Sequence, residues 1–351
     1  MDSTTSENAA GELGLDAVRN WLMVLIAMIA AMVVVGGATR MTGSGLSMVD
    51  WHPLMGAIPP LDQAGWNDVF SRYQTSPQYQ QVNAWMTLAD FKRIFLWEYG
   101  HRLLGRLLGL VFFFPWIVFI YRKQLRGRRI WQSGIGFLLG ALQGVLGWYM
   151  VQSGLVDRPE VSHLRLASHL GLAFFTALYL LWLWLDWAPT RAGPRHRSMV
   201  RWLTALVALL ALQVLYGAFM AGLRAGLISN TFPLMLGHLF PTHLLAEGSF
   251  AQTYIHGPLG VHLIHRMLGW AVLALALVCA WLGRQRSATD QQRRRCNWLA
   301  VLVLVQFASG VLTVLTSVAV PVALIHQIGA LALLCSTLVC LHGFRGGPTP
   351  Q

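Results

Sequence analysis

Apolar runs of about 20 residues recur eight times along the 351-residue chain, and each is long enough to cross a hydrocarbon core about 30 Å thick. They lie at roughly 20–40, 98–120, 131–153, 161–186, 201–223, 259–283, 297–317 and 322–343. A backbone inside lipid has no water to bond with, so such runs must become helices. Composition agrees with this reading. With 55% hydrophobic residues, 11% charged residues and a mean hydropathy of +0.52, the chain has too little polar surface for a water-soluble globule of this length. The expected fold class is an all-α integral membrane protein with eight transmembrane helices.

The formal net charge of +12 does not point to nucleic acid, because the basic residues are spread over three short connections. These hold Arg122, Lys123, Arg126, Arg128 and Arg129; Arg191, Arg195, Arg197 and Arg201; and Arg284, Arg286 and Arg293 to Arg295. The positive-inside rule places all three in the cytoplasm, which puts both termini there and the longer loops, 41–95 and 224–258, outside. Cys279, Cys296, Cys335 and Cys340 all fall in helices or at their cytoplasmic ends, so no structural disulfide is expected. The acidic N-terminus, with a single Arg, resembles neither a mitochondrial transit peptide nor a cleaved signal. A multi-pass protein of a bacterial inner membrane follows, with tails at 1–19 and from 344 that read as disordered.

The chain also matches itself. "GSGLSMVDWHPLMGAIPP", from Gly43, resembles "RAGLISNTFPLMLGHLFP", from Arg224; "EYGHRLLG", from Glu98, resembles "HLIHRMLG", from His262. "QGVLGWYMVQSG", from Gln143, loosely matches "QFASGVLTVLTS", from Gln306, and the order is kept. Two pseudo-symmetric four-helix bundles in tandem are expected, the first over 20–190 and the second over 191–343.

Under that alignment each even-numbered run carries one corresponding histidine: His101, His169, His265 and His326. All four runs enter from the outside, and the histidines lie within the first turns. The residue four positions on is small each time, Gly105, Ala173, Gly269 and Ala330, which leaves room above the ring for a flat ligand. A single membrane histidine is usually a helix-packing hydrogen bond. Four at matching depth in repeat-related positions point instead to axial ligation of one haem iron per unit, by His101 with His169 and by His265 with His326. Zinc would want about four ligands per site, and each unit offers two.

Glu98 lies three residues before His101, on the same helix face, and the second unit has His262 in its place. A carboxylate near lipid needs a partner or a function. Glu98 is either an interfacial anchor held by Arg102 or a proton-transfer or nucleophilic group, which would make the first unit the seat of chemistry. Arg40, Arg102, Arg165 and Arg266 lie near the outer surface, as partners for haem propionates or as residues snorkelling to headgroups.

Together these stretches resemble the haem A synthase family. The carriers are "GGATRMTGSGLS", "PLMGAIPP", "EYGHR", "HLGLAF", "HRMLGW" and "IHQ", in order over nearly the whole chain. The resemblance implies oxidation of the C8 methyl group of haem O to a formyl group, by successive hydroxylation and loss of water, giving haem A for terminal oxidases. It implies haem b on His265 and His326, substrate haem O at His101 and His169, Glu98 as the catalytic residue, and the haem O producing enzyme as a partner. The outer-loop cysteine pair of some members is missing, which matches the type shared by proteobacteria and mitochondria. The electron-transfer partner is unassigned, and homo-oligomerisation is left open. The competing reading is a di-haem electron carrier acting on quinol or cytochrome; both expected haem sites on the outer side count against it. A haem transporter would not need Glu98.

In the first outer loop, Trp51, Trp66, Tyr73, Tyr79 and Trp85 read as an interfacial aromatic belt with short helices over the substrate site. Asp50, Asp62, Asp68 and Asp90 read as solvated loop residues. His238, His243 and His256 in the second outer loop read as ordinary loop residues, as do His52, His163, His196 and His342.

Overall fold

The computed structural model describes residues 3–50, 58–156, 159–188, 195–244, 248–287 and 289–346, with side chains from residue 14 onward. Trp51, His52, Arg191, the 190/191 boundary and the tail from 347 lie outside the described residues. The order is α1 (Ser3–Met41), α2 (Gln63–Gln74), a π-turn (Tyr79–Asn83), α3 (Leu88–Tyr121), α4 (Arg128–Gln152), α5 (His163–Asp186), α6 (Arg197–Gly222), α7 (Phe250–Tyr254), α8 (Pro258–Arg286), α9 (Asp290–Leu315) and α10 (Val320–Phe344). Eight of these, all but α2 and α7, are long and apolar enough to cross a membrane. No strand occurs among the described residues beyond one isolated bridge, Met235 with His238. Two helices begin well before their apolar runs. α1 starts at Ser3, within the segment expected to be disordered, because "SENAAGEL" is rich in helix formers. α3 starts at Leu88, where Thr87 and Asp90 form a reciprocal capping box that closes its free amides.

The chain divides into two compact units, Met1–Ala177 and Leu178–Gln351, and the division falls within α5. Residues of the C-terminal half of α5 belong to the second unit. There the Trp182 ring meets His342 at 5.2 Å, the Arg345 guanidinium covers Trp182 at 4.9 Å, and Asp186 lies 4.0 Å from His342.

In the first unit α1 packs on α3 and α3 on α4. The 34 residues of α3 span about 51 Å, more than the hydrocarbon core requires. Its surplus first turns support the outer loop: Tyr73, Phe91, Ile94 and Phe95 are buried together, with Trp66, Phe70 and Tyr79 packed against them. Tyr73 stacks on Phe91 at 5.0 Å, and its hydroxyl donates to Gln78 and accepts from Asn83. Burial raises the Tyr73 phenol above its usual pKa. Tyr73 is therefore a core residue of this loop, with Trp66 and Tyr79 partly buried against it, whereas Trp85 is exposed. The aspartates of this loop are exposed but employed: Asp62 caps α2, Asp90 closes the α3 box, and Asp50 and Asp68 both pair with Arg72.

In the second unit α6 packs on α8, α8 on α9, α9 on α10 and α10 on α6, which closes a ring of four helices. Leu203, Leu206, Ala276, Leu299, Val303 and Leu334 are buried. Trp281, Trp298, Val301 and Leu304 are exposed, which suits side chains solvated by lipid. The four cysteines are free thiols.

Candidate functional site: histidines seated on glycines

Each of the four histidines lies against a glycine of the transmembrane helix before its own. A Cβ added to Gly36 on α1 would stand 2.9 Å from His101 Nε2; one on Gly147 of α4, 3.1 Å from His169 Cε1. In the second unit a Cβ on Gly217 of α6 would stand 3.2 Å from His265 Cε1, and one on Gly310 of α9, 2.8 Å from His326 Cε1. At Gly36 and Gly310 an added Cβ would force something to shift, and at Gly147 and Gly217 the ring would have to give by a few tenths of an ångström. His169, His265 and His326 come about two turns into their helices, but His101 comes almost four turns into α3 because that helix starts early.

The rings of His265 and His326 are 6.5 Å apart, centroid to centroid, and nearly perpendicular at 84°. A metal–nitrogen bond of about 2 Å and a nitrogen-to-centroid distance of roughly 1.1 Å, counted on both sides, require about 6.2 Å. The pair is thus spaced for one metal between two imidazoles. The buried Nδ1 atoms of His169 and His265 have no hydrogen-bond partner. A buried imidazole nitrogen without a partner is a donor that haem iron takes, so this donor set fits the group.

Of the small residues four positions on, Gly105 has Met32 Cε 3.5 Å from an added Cβ and Gly269 has Gln213 Nε2 at 3.7 Å, both ordinary contacts from the neighbouring helix.

Around Glu98 the arrangement is ordered and dry. Its side chain is 3% exposed, with Oε1 accepting from Arg102 at 2.6 Å and Oε2 from the Ser47 hydroxyl at 2.7 Å and the Met48 amide at 2.9 Å. Arg102 also donates to the carbonyls of Met48 and Asp50. The carboxylate therefore anchors the start of the outer loop onto α3. The second unit builds the same clamp without the acid: Arg266 donates to His262 Nε2 at 3.0 Å and to the carbonyls of Thr231 and Leu234. His262 is wholly buried. Arg165 donates to the Tyr149 carbonyl at 2.7 Å and lies over the Tyr149 ring at 3.7 Å, and Arg40 is half-buried at the end of α1. The rings of His238 and His243 meet edge to face at 4.4 Å in the second outer loop. Among the described residues no group of three or more His, Cys, Asp or Glu could hold a bare metal ion.

Sequence reasoning missed the four glycines and three glutamines, Gln143, Gln213 and Gln306, each four residues before its glycine. Gln143 Nε2 donates to the His169 carbonyl at 2.8 Å, Gln306 Nε2 to the His326 carbonyl at 2.9 Å, and Gln213 Nε2 lies 3.4 Å from His265 Nε2. The signal was a Q-x-x-x-G spacing on three odd-numbered runs.

The family model described as "COX15-CtaA: Cytochrome oxidase assembly protein" matches residues 19–338. A protein of Nitrosospira multiformis named Heme A synthase is 45% identical over 331 residues, which cover 93% of this chain and 92% of the relative. Proteins of the same name from Flavobacterium psychrophilum and Parvibaculum lavamentivorans are 40% and 41% identical, covering 92% and 90% of this chain and 97% and 91% of theirs.

Proposed function

The chain belongs to the COX15-CtaA family of cytochrome oxidase assembly proteins and, within it, to the haem A synthases; from that premise we propose how its two units divide the oxidation of haem O to haem A. The first unit, residues 20–190, takes substrate haem O between His101 and His169, and the second, residues 191–343, keeps haem b between His265 and His326. Haem b supplies a one-electron redox centre when bound. The observation that carries the division is the exchange of Glu98 for His262 within otherwise matching arginine clamps.

Glu98 stands one turn before His101, so a substrate ligated there lies beside a carboxylate fixed by three donors. Its role is to accept a proton released as the methyl group is oxidised, while Arg102 balances its charge. Ser47 and the Met48 amide keep it aimed, and the aromatic domain of the outer loop shields it from bulk water. Arg102 and Arg266 each have five donors and spend only part of them on loop carbonyls, which leaves donors for propionates; Arg40 and Arg165 serve the same end. The protein lies in a bacterial inner membrane with its basic connections and both termini in the cytoplasm, and it receives substrate from haem O synthase.

Haem analysis of the purified protein tests the division. His265→Ala or His326→Ala should remove haem b and spare haem O binding, and His101→Ala or His169→Ala should do the reverse. Loss of both haems from either pair of variants would refute it.

A further inference from the structure

The four histidine seats are alike in glycine but not in what lies four residues earlier on the same helix. Gln143, Gln213 and Gln306 precede Gly147, Gly217 and Gly310; Met32 precedes Gly36. The positions correspond in space as well, because Met32 and Gln213 fill the same notch, above Gly105 and Gly269 respectively, and Gln306 Oε1 lies against Gly329.

All three glutamine carboxamides touch their histidine through Nε2, and all three Oε1 atoms are buried without a partner. The Nδ1 atoms of His169 and His265 are buried and unpartnered on the same helix pairs. A buried polar atom without a partner is costly to leave so. The carboxamides reach their histidines at different atoms: Gln143 holds the His169 backbone carbonyl, Gln213 lies at the His265 ring, and Gln306 meets both the carbonyl and the ring of His326. His326 is held already: its Nδ1 lies 3.1 Å from both Gln306 Nε2 and Ser309 Oγ, and Ser309 donates to the Gln306 carbonyl.

Met32 offers neither donor nor acceptor of that strength. His101 is also the one ring turned differently, with Nε2 against its glycine where the other three present Cε1. We propose that Gln143, Gln213 and Gln306 are positioning residues that orient and retain their axial histidines, and that Met32 leaves His101 the releasable ligand through which the first unit exchanges its haem. This rests on the reading that the four histidines ligate haem. It accounts for why one unit turns its haem over as substrate and product and the other keeps one: the second has two held ligands, the first one held and one loose.

The test is the rate of haem transfer from the purified, haem-loaded protein to apomyoglobin, with the midpoint potential of haem b as a second readout. Partners in this position change ligand binding by about 10–100-fold. Met32→Gln should slow transfer from the first unit about tenfold and leave haem b unchanged, and Gln143→Leu should hasten it in the same unit. Gln213→Leu should hasten loss of haem b. Gln213→Glu, which keeps an acceptor, should hold haem b and lower its potential, a shift that a packing role would not produce. Wild-type rates in Met32→Gln, Gln143→Leu and Gln213→Leu, or an unmoved potential in Gln213→Glu, would overturn the proposal. His101→Ala and His265→Ala serve as controls: if neither loses haem, the ligand assignment fails and not the clamp.

Discussion

Gly310→Ala and Gly217→Ala are the same chemical change at corresponding seats of one unit, yet the structure assigns them different outcomes. The added Cβ meets His326 Cε1 at 2.8 Å in the first case and His265 Cε1 at 3.2 Å in the second. Ordinary contact begins at 3.4 Å, so the ring must retreat by about 0.6 Å for Gly310→Ala and about 0.2 Å for Gly217→Ala. Metal sites tolerate about 0.2 Å of error in ligand distance. Alanine favours the helix over glycine by about 0.5–1 kcal/mol, which offsets part of an overpacking cost of about 1–3 kcal/mol, so both variants should fold. Gly310→Ala should lose most of its haem b or show five-coordinate spectra, and Gly217→Ala should retain six-coordinate haem b near wild-type content. Pyridine haemochrome content and the visible spectrum of purified protein give the reading. Equal haem b and identical spectra in the two variants would refute the claim that the glycines set the ligand positions.

Glu98→Gln should leave haem b bound while haem A formation falls by about 10²–10⁴-fold, as expected for loss of a proton-transfer group; the measure is haem A per bound haem b. Glu98→Ala should in addition destabilise the fold by roughly 3–5 kcal/mol, because it strands Arg102 in a largely buried site, and this can be read from thermal aggregation in detergent. Ser47→Ala removes one hydrogen bond to the carboxylate and should cost about 1.5–3 kcal/mol locally, seen as faster proteolysis of the first outer loop with haem b unchanged. Tyr73→Phe breaks the bonds to Gln78 and Asn83 inside the aromatic domain and should loosen the same loop by about 1–3 kcal/mol, again without effect on the second unit.

The eight helices and the positions of the four histidines on them could be read from the sequence because hydropathy and spacing are carried by the residues themselves. The eight spans recur near their expected limits, and the histidines stand in repeat-related seats. The early starts of α1 and α3 were hidden because caps and helix propensity, not apolarity, extend them beyond the lipid-crossing part. The packing of Tyr73 was hidden because composition cannot tell an exposed ring from one stacked on Phe91. The glycines were overlooked for a different reason: a glycine in a membrane helix is common, and its meaning lies in the imidazole 3 Å away on another helix. Gln143 and Gln306 stood at the head of matched segments, but only the structure shows that their amides reach the histidines. That Met32 and Gln213 reach from the next helix to Gly105 and Gly269 was likewise not legible in the sequence, because it depends on which helices are neighbours.

The central claim is that this chain oxidises haem O and does so with Glu98 in the first unit. Its most direct test is chromatography of haems extracted from cells that produce the protein together with a haem O source. Haem A or its hydroxylated precursor should accumulate with the native chain and be missing with Glu98→Gln, whereas haem O and haem B alone with the native chain would contradict the account.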